Sequence, residues 1–255
     1  MKFSILGLLF LMSLAHAAKL DPEARKWKRA GFTNPEISSI HVPEAAITNA
    51  NQSIAITHAL DATIVMFRNT GWTREQIEAH LKRTNEIYAQ CGIRLGEIKL
   101  VESDAYQGML DINDRWNYEG DDLKIATATP QEIRPVIYLM RKIMQGEGGY
   151  TNFEHFQYSQ NNPKVANTIW LATLINEEDY YFYHTSDDSG HESYLRRDPS
   201  YNVVAHELAH LLADMGHETT LTEKNLLNGA ASEVNDHLLP RQCEKFKANP
   251  MMHKL

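Results

Sequence analysis

Within the stretch VVAHELAHLLADMGHE, residues 203–218, the apolar run VVAHELAHLLA limits the possible architecture more than any other part of the chain. Read as a helix, the segment carries Leu208, Leu211 and Leu212 on its apolar side and small Ala205 and Ala209 between its turns. A helix this apolar must be buried against other elements and not laid on a surface. Three polar residues interrupt it: His206, Glu207 and His210. Buried polar groups have to be satisfied or used. The helix is expected from about residue 200 to 215, with Gly216 stopping it.

The spacing of the three polar residues points to a use. Positions i and i+4 stack on one helical face, with β-carbons about 5 to 6 Å apart. Imidazoles at His206 and His210 therefore converge on one ion at roughly 2.0 to 2.1 Å, the bond length of Zn2+ to nitrogen. Glu207 lies one step round the helix. Its carboxylate falls beside the ion and not on it, where it can take a proton from an activated water. The structural alternative is a core helix whose histidines are satisfied by hydrogen bonds. A catalytic zinc also needs a third protein ligand and an open position. Two residues qualify. His217 follows Gly216 and lies seven residues beyond His210; Glu233, in the run ASEVND, lies 23 beyond it.

HELAH, a turn glycine and a further histidine resemble the metzincin metallopeptidases, whose pattern is H-E-x-x-H-x-x-G-x-x-H followed by a methionine turn. The resemblance implies His206, His210 and His217 as zinc ligands and Glu207 as general base. It matches the methionine turn to Asn225-Leu226-Leu227-Asn228. The chain departs from the pattern in three places: Ala213 stands where the glycine would fall, Gly216 where the third histidine would fall, and Leu227 where the methionine would. One residue is thus inserted before the third ligand, which a longer helix and a left-handed turn at Gly216 would absorb. Leu227 keeps the apolar volume of the turn. The implied fold is α+β, with a mixed twisted sheet, an active-site helix, a turn of the methionine-turn kind and a C-terminal helix. In that clan an edge strand binds extended substrate, a role that falls here to VANTIWLATL, residues 165–174. The matrixin branch carries a structural-metal loop, which the run with His184, Asp187, Asp188 and His191 would supply. Glu233 as third ligand would instead resemble the thermolysin-like class.

The rest of the chain frames this site. Lys2, an apolar run over residues 3–14 and the small-x-small triplet Ala15-His16-Ala17 read as a signal peptide, 1–17, too short to span a bilayer. The expected location is secreted or periplasmic. No later apolar run approaches about 18 residues, so no membrane insertion is expected after signal removal. The formal charge of -8 becomes -9 once Lys2 is removed. An acidic chain without a basic run is a poor partner for nucleic acid. Cys91 and Cys243 are a lone pair in an exported chain and read as a disulfide.

Residues 18–52 read as an N-terminal arm or pro-segment whose prolines argue against a long regular element. They hold no cysteine, so a thiol cannot block the metal, although an acid or His41 could. The catalytic domain is expected over 53–255. Strands are read near the end of 53–67 and at 93–102, 135–140, 165–174 and 180–184. Thr73 and Gln76 form a capping box at the start of a helix that Gly92 closes. GEGGYTN, 146–152, reads as a loop, and 240–249 as a final helix opened by Pro240. The function expected is an exported zinc-dependent endopeptidase acting on protein or peptide. The competing reading is an inactive binding protein that keeps the fold. His237, Tyr201 and Tyr194 are available as oxyanion donors, and spacing selects none.

Overall fold

A computed structural model describes residues 21–42, 54–115, 119–130, 134–143, 149–174, 202–217, 224–228 and 235–255. Along the chain these form α1 (Pro22–Arg29), β1 (Thr33–Ile40), β2 (His58–Phe67), α2 (Arg74–Tyr88), β3 (Ile93–Asp104), β4 (Asp111–Ile112) and α3 (Asp121–Ala128). There follow β5 (Val136–Ile143), β6 (Gly149–Asn152), α4 (Gln157–Asn161), β7 (Thr168–Leu174), α5 (Val203–Ala213), α6 (Pro240–Ala248) and β8 (Met252–Lys254). The fold is α+β around one mixed sheet of order β1-β3-β2-β5-β7-β6. Strands β3, β2, β5 and β7 are parallel neighbours, and β1 and β6 close the ends antiparallel.

Parallel neighbours need crossovers, and helices supply them: α2 links β2 to β3, and α3 lies between β3 and β5. Covered on both faces, the central strands are apolar on both. Along β2, Leu60, Ala62, Ile64 and Met66 join one core with Ile77, Leu81 and Tyr88 of α2, Leu208 and Leu211 of α5 and Phe246 of α6. Val65 and Phe67 face the other way, into a second core with Trp27 of α1, Ile125 of α3, Tyr138 and Trp170. The helix α5 is buried along its whole length, as its composition demands.

The capping box of α2 is present. The Gln76 N–H donates to the Thr73 hydroxyl at 3.3 Å, and the Thr73 N–H donates to Gln76 Oε1 at 2.9 Å. Gly92 is left-handed at φ 68°, and a β-carbon there would meet the Ala55 carbonyl at 2.6 Å, so only glycine fits.

Two expectations are corrected. GEGGYTN is not all loop: Gly149–Asn152 is β6, paired antiparallel with β7. VANTIWLATL is not an edge: β7 lies between β5 and β6. Its unbroken run Ile169-Trp170-Leu171-Ala172 is fully buried, the mark of an interior strand. The edge strand is short and glycine-led, so it carries no apolar alternation to reveal it. Part of 18–52 enters the fold as well. Asp21 caps α1 by accepting from the Glu23 N–H at 2.7 Å, Pro22 occupies its first turn, and β1 pairs with β3. The short elements α3, α4, β4 and β8 have no sequence pattern strong enough to be read. Residues 1–17, the strand expected at 180–184 and the His184–His191 run lie outside the described residues. Among the described residues no helix is long and apolar enough to cross a membrane.

Cys91 and Cys243 are bonded, with α-carbons 4.9 Å apart and a sequence separation of 152. The bridge ties the end of α2 to α6. Closing so long a loop contributes about 4 to 5 kcal/mol in the chain-entropy account. Replacing both cysteines by serine is expected to lower the melting temperature by roughly 10 to 15 °C. An unchanged thermal melt would show that the bridge adds nothing to stability.

Candidate metal centre

The helix α5 is fixed at both ends before its side chains matter. At its start Asn202 accepts from Arg83 Nε at 3.0 Å and donates to the Asn235 carbonyl at 3.1 Å. Midway, the Tyr88 hydroxyl donates to the Ala205 carbonyl at 2.9 Å. At its end the chain turns at Asp214, which is left-handed at φ 52°. The Asp214 N–H donates back to the Leu211 carbonyl at 3.3 Å and the Met215 N–H to that of His210 at 3.2 Å, which is a Schellman closure.

This differs from the expected turn. The helix ends at Ala213, not near 215, and Asp214 takes the left-handed position in place of Gly216. Aspartate tolerates that conformation better than most residues. Here its carboxylate is also engaged: Oδ1 accepts from the His155 N–H at 2.9 Å, and Oδ2 contacts the His155 ring. The turn at Asp214 brings the chain, and with it His217, back towards the helix.

His206, His210 and His217 come together, each offering one ring nitrogen, with all three nitrogens within 4.8 Å of one another. The His206 and His210 Nε2 atoms are 3.0 Å apart, and those of His206 and His217 are 3.1 Å apart. The opposite nitrogens determine what these contacts mean. His206 Nδ1 lies 2.6 Å from the Leu226 carbonyl, and His210 Nδ1 lies 2.8 Å from that of Met215. A carbonyl only accepts, so both Nδ1 atoms carry the hydrogen. Both Nε2 atoms then present lone pairs to each other across 3.0 Å. Facing lone pairs repel unless a cation lies between them. Tetrahedral zinc with bonds of roughly 2.0 to 2.1 Å would set its nitrogens about 3.3 Å apart. The donor set therefore fits zinc, with carbonyls orienting the rings from behind.

Electrostatics agree. Burial pushes the His206 ring down to about 3, helped by its neighbours His210 and His217 against the Leu226 hydrogen bond. Burial pushes His210 down to about 4, and His217 is lowered by the same cause. All three rings are neutral at neutral pH, the form that binds a metal.

Glu207 is only 7% exposed and sits under the edge strand. The Thr151 hydroxyl lies 2.7 Å from Glu207 Oε2 and 3.0 Å from its carbonyl oxygen. Two residues earlier, on the same side of β6, Gly149 lets the strand pass close. A β-carbon there would come to 3.2 Å from Glu207 Oε1 and 2.7 Å from a Leu171 methyl. Reading 146–152 as a loop missed both residues; the only signal was a glycine and a threonine two apart.

The Asn225–Asn228 turn lies behind His206. The Asn225 side chain accepts from the Leu227 N–H at 2.9 Å, and the Asn228 N–H donates to the Asn225 carbonyl at 3.0 Å. Leu226 and Leu227 are fully buried. Asn225 and Gln242 of α6 exchange two amide hydrogen bonds, at 2.9 and 3.1 Å. His237 joins through its backbone, which accepts from the Leu226 N–H and donates to the Lys224 carbonyl, while its side chain is exposed. Glu233, Tyr194 and Tyr201 lie outside the described residues.

No family model matches the chain, and no curated protein matches it. Among solved structures it is similar to metalloproteinase-II from Bacteroides fragilis, at 13% identity and a TM-score of 0.44. That alignment covers 88% of this chain and 59% of the other, so the chain spans less than two thirds of its length. It is also similar to mature mirolysin of Tannerella forsythia in complex with a cleaved peptide, at 10% identity and a TM-score of 0.44. There the alignment covers 77% of this chain and 91% of the other.

The depressed rings set a pH dependence for the metal-free protein. Between their folded values, about 3 and about 4, and the ordinary 6.5, the unfolded chain binds more protons than the folded one. Their contribution to stability is complete above about 6.5 and is lost as pH falls through that window. Urea unfolding of metal-free protein from about pH 7 to 4 should give a falling midpoint, and replacing His206 and His210 by Gln should flatten this dependence. An identical slope in that variant would contradict the assignment.

Proposed function

We propose that the chain is a zinc-dependent endopeptidase of metzincin-like design, exported to a secreted or periplasmic location. One observation carries the reading: three imidazoles, neutral at neutral pH, bring one ring nitrogen each to a common point, with carbonyls behind His206 and His210 leaving two of those nitrogens as lone pairs, beside a buried carboxylate one helical step away. That is a three-histidine donor set with a proton acceptor next to it. The disulfide suits an oxidising compartment.

His206, His210 and His217 would hold the zinc, and the Leu226 and Met215 carbonyls would keep their rings in register. When bound, zinc polarises a scissile carbonyl and makes water acidic enough to deprotonate near neutral pH. Glu207 takes the water proton and delivers it to the departing amine. Strand β6 ends the sheet, and an extended peptide laid along its outer edge would gain backbone hydrogen bonds without a deep pocket. The convergence of His217 with the other two rings favours it over Glu233 as third ligand.

Zinc content and peptidase activity, measured together on a panel of variants, test the reading. The wild type is expected to hold one zinc per chain and to cleave labelled casein. Glu207→Gln should keep the zinc while activity falls on the order of a hundredfold or more. His217→Ala should lose or greatly weaken zinc binding, and Glu233→Ala should not. A wild type that takes up no zinc, or a Glu207→Gln variant of full activity, would overturn the proposal. Zinc loss only in Glu233→Ala would move the site to the glutamate-ligand class.

A further inference from the structure

We infer that Thr151, on the edge strand, is a positioning residue for the general base. The inference rests on the peptidase reading of Glu207 and adds to it the group that holds the base in place. A general base on a helix needs its carboxylate held in one orientation, because small misplacements are costly to rate. The helix α5 fixes the backbone of Glu207, and its carboxylate takes its orientation from the groups it contacts. The Thr151 hydroxyl carries one hydrogen, and both oxygens near it on Glu207 are acceptors. The carboxylate oxygen is the nearer, at 2.7 Å, and bears the charge, so the hydrogen goes there. This bond anchors Oε2 of Glu207 from the β6 side.

The strand is itself held firmly enough to serve. Tyr150, the neighbour of Thr151, points to the opposite face of the sheet. Its ring stacks on Trp170 at 6.1 Å, and its hydroxyl donates to the buried Asp122 at 3.3 Å. Tyr158 donates to the same carboxylate at 3.1 Å. Backbone pairing of Thr151 with Ile169 completes the support. On the active face Gly149 has no side chain, which lets the strand lie against Glu207 instead of bulging away from it. One strand thus forms the substrate edge and the brace for the base.

The contact predicts an effect on turnover separate from binding. Thr151→Val keeps the shape and removes the donor; Thr151→Ser keeps the donor and removes a methyl. With a quenched fluorescent peptide that the wild type cleaves, Thr151→Val is expected to lower kcat on the order of tenfold, the equivalent of one charge-assisted hydrogen bond. KM should stay within about twofold and zinc content should not change. Thr151→Ser should recover most of kcat. Independently of activity, thermal melts of the zinc-loaded protein should show coupling. Thr151→Val should lower the melting temperature in the wild-type background and lower it less alongside Glu207→Ala, where only the residue 207 carbonyl remains for the hydroxyl. A wild-type kcat in Thr151→Val, a Thr151→Ser as slow as Thr151→Val, or additive melts would each overturn the inference while leaving the peptidase reading standing. A raised KM with unchanged kcat would also overturn it, assigning Thr151 to substrate binding. A wild type that cleaves no peptide would overturn both.

Discussion

Two backbone carbonyls, those of Leu226 and Met215, determine which way the buried imidazoles face. Each takes a hydrogen from the back of one ring and so leaves a lone pair at the front. Without them His206 and His210 could satisfy one another by a simple hydrogen bond, and the pair would be ordinary core histidines. With them the front nitrogens are two acceptors in contact, an arrangement that calls for a cation. The rest of the centre serves this geometry. The turn at Asp214 places the Met215 carbonyl, and the Asn225–Asn228 turn places that of Leu226.

The turns are secured by elements remote from them in sequence. Asn225 is held by Gln242 on α6, and the segment around Asp236 is drawn in by Arg83 of α2 and by Gln90 just beyond its end. The helix therefore sits in a frame of α2, α6 and the sheet. The sheet contributes in a second way, since its short last strand comes directly over Glu207. The arrangement divides the labour between local and long-range order. Helical periodicity alone aligns His206 with His210, but His217, Leu226 and Thr151 arrive by tertiary folding.

That division explains what the sequence could reveal. The helix, its two histidines, the capping box at Thr73, the glycine end at Gly92 and the interior strands are repeated or local patterns, and they are where periodicity places them. The pairing of Cys91 with Cys243 followed from there being only two cysteines. The left-handed turn was assigned to Gly216 because glycine is the usual occupant; Asp214 took it because its carboxylate gains partners at His155 that no local rule could supply. The edge strand is not legible in the sequence because four residues led by glycine carry no period. Its role went to β7, whose buried run IWLA is the signature of an interior strand. Thr151 meets Glu207 only through the pairing of that strand with β7.

The disulfide reaches further than the two helices it joins. Cys243 is the residue next to Gln242, and Gln242 grips the Asn225 turn whose Leu226 carbonyl orients His206. A covalent bond thus stands a few contacts away from a ring nitrogen that would hold the metal. In a reducing compartment, where thiols stay unpaired, that grip rests on packing and amide hydrogen bonds alone. The chain is then less firmly braced around the candidate metal site than when Cys91 and Cys243 are bonded.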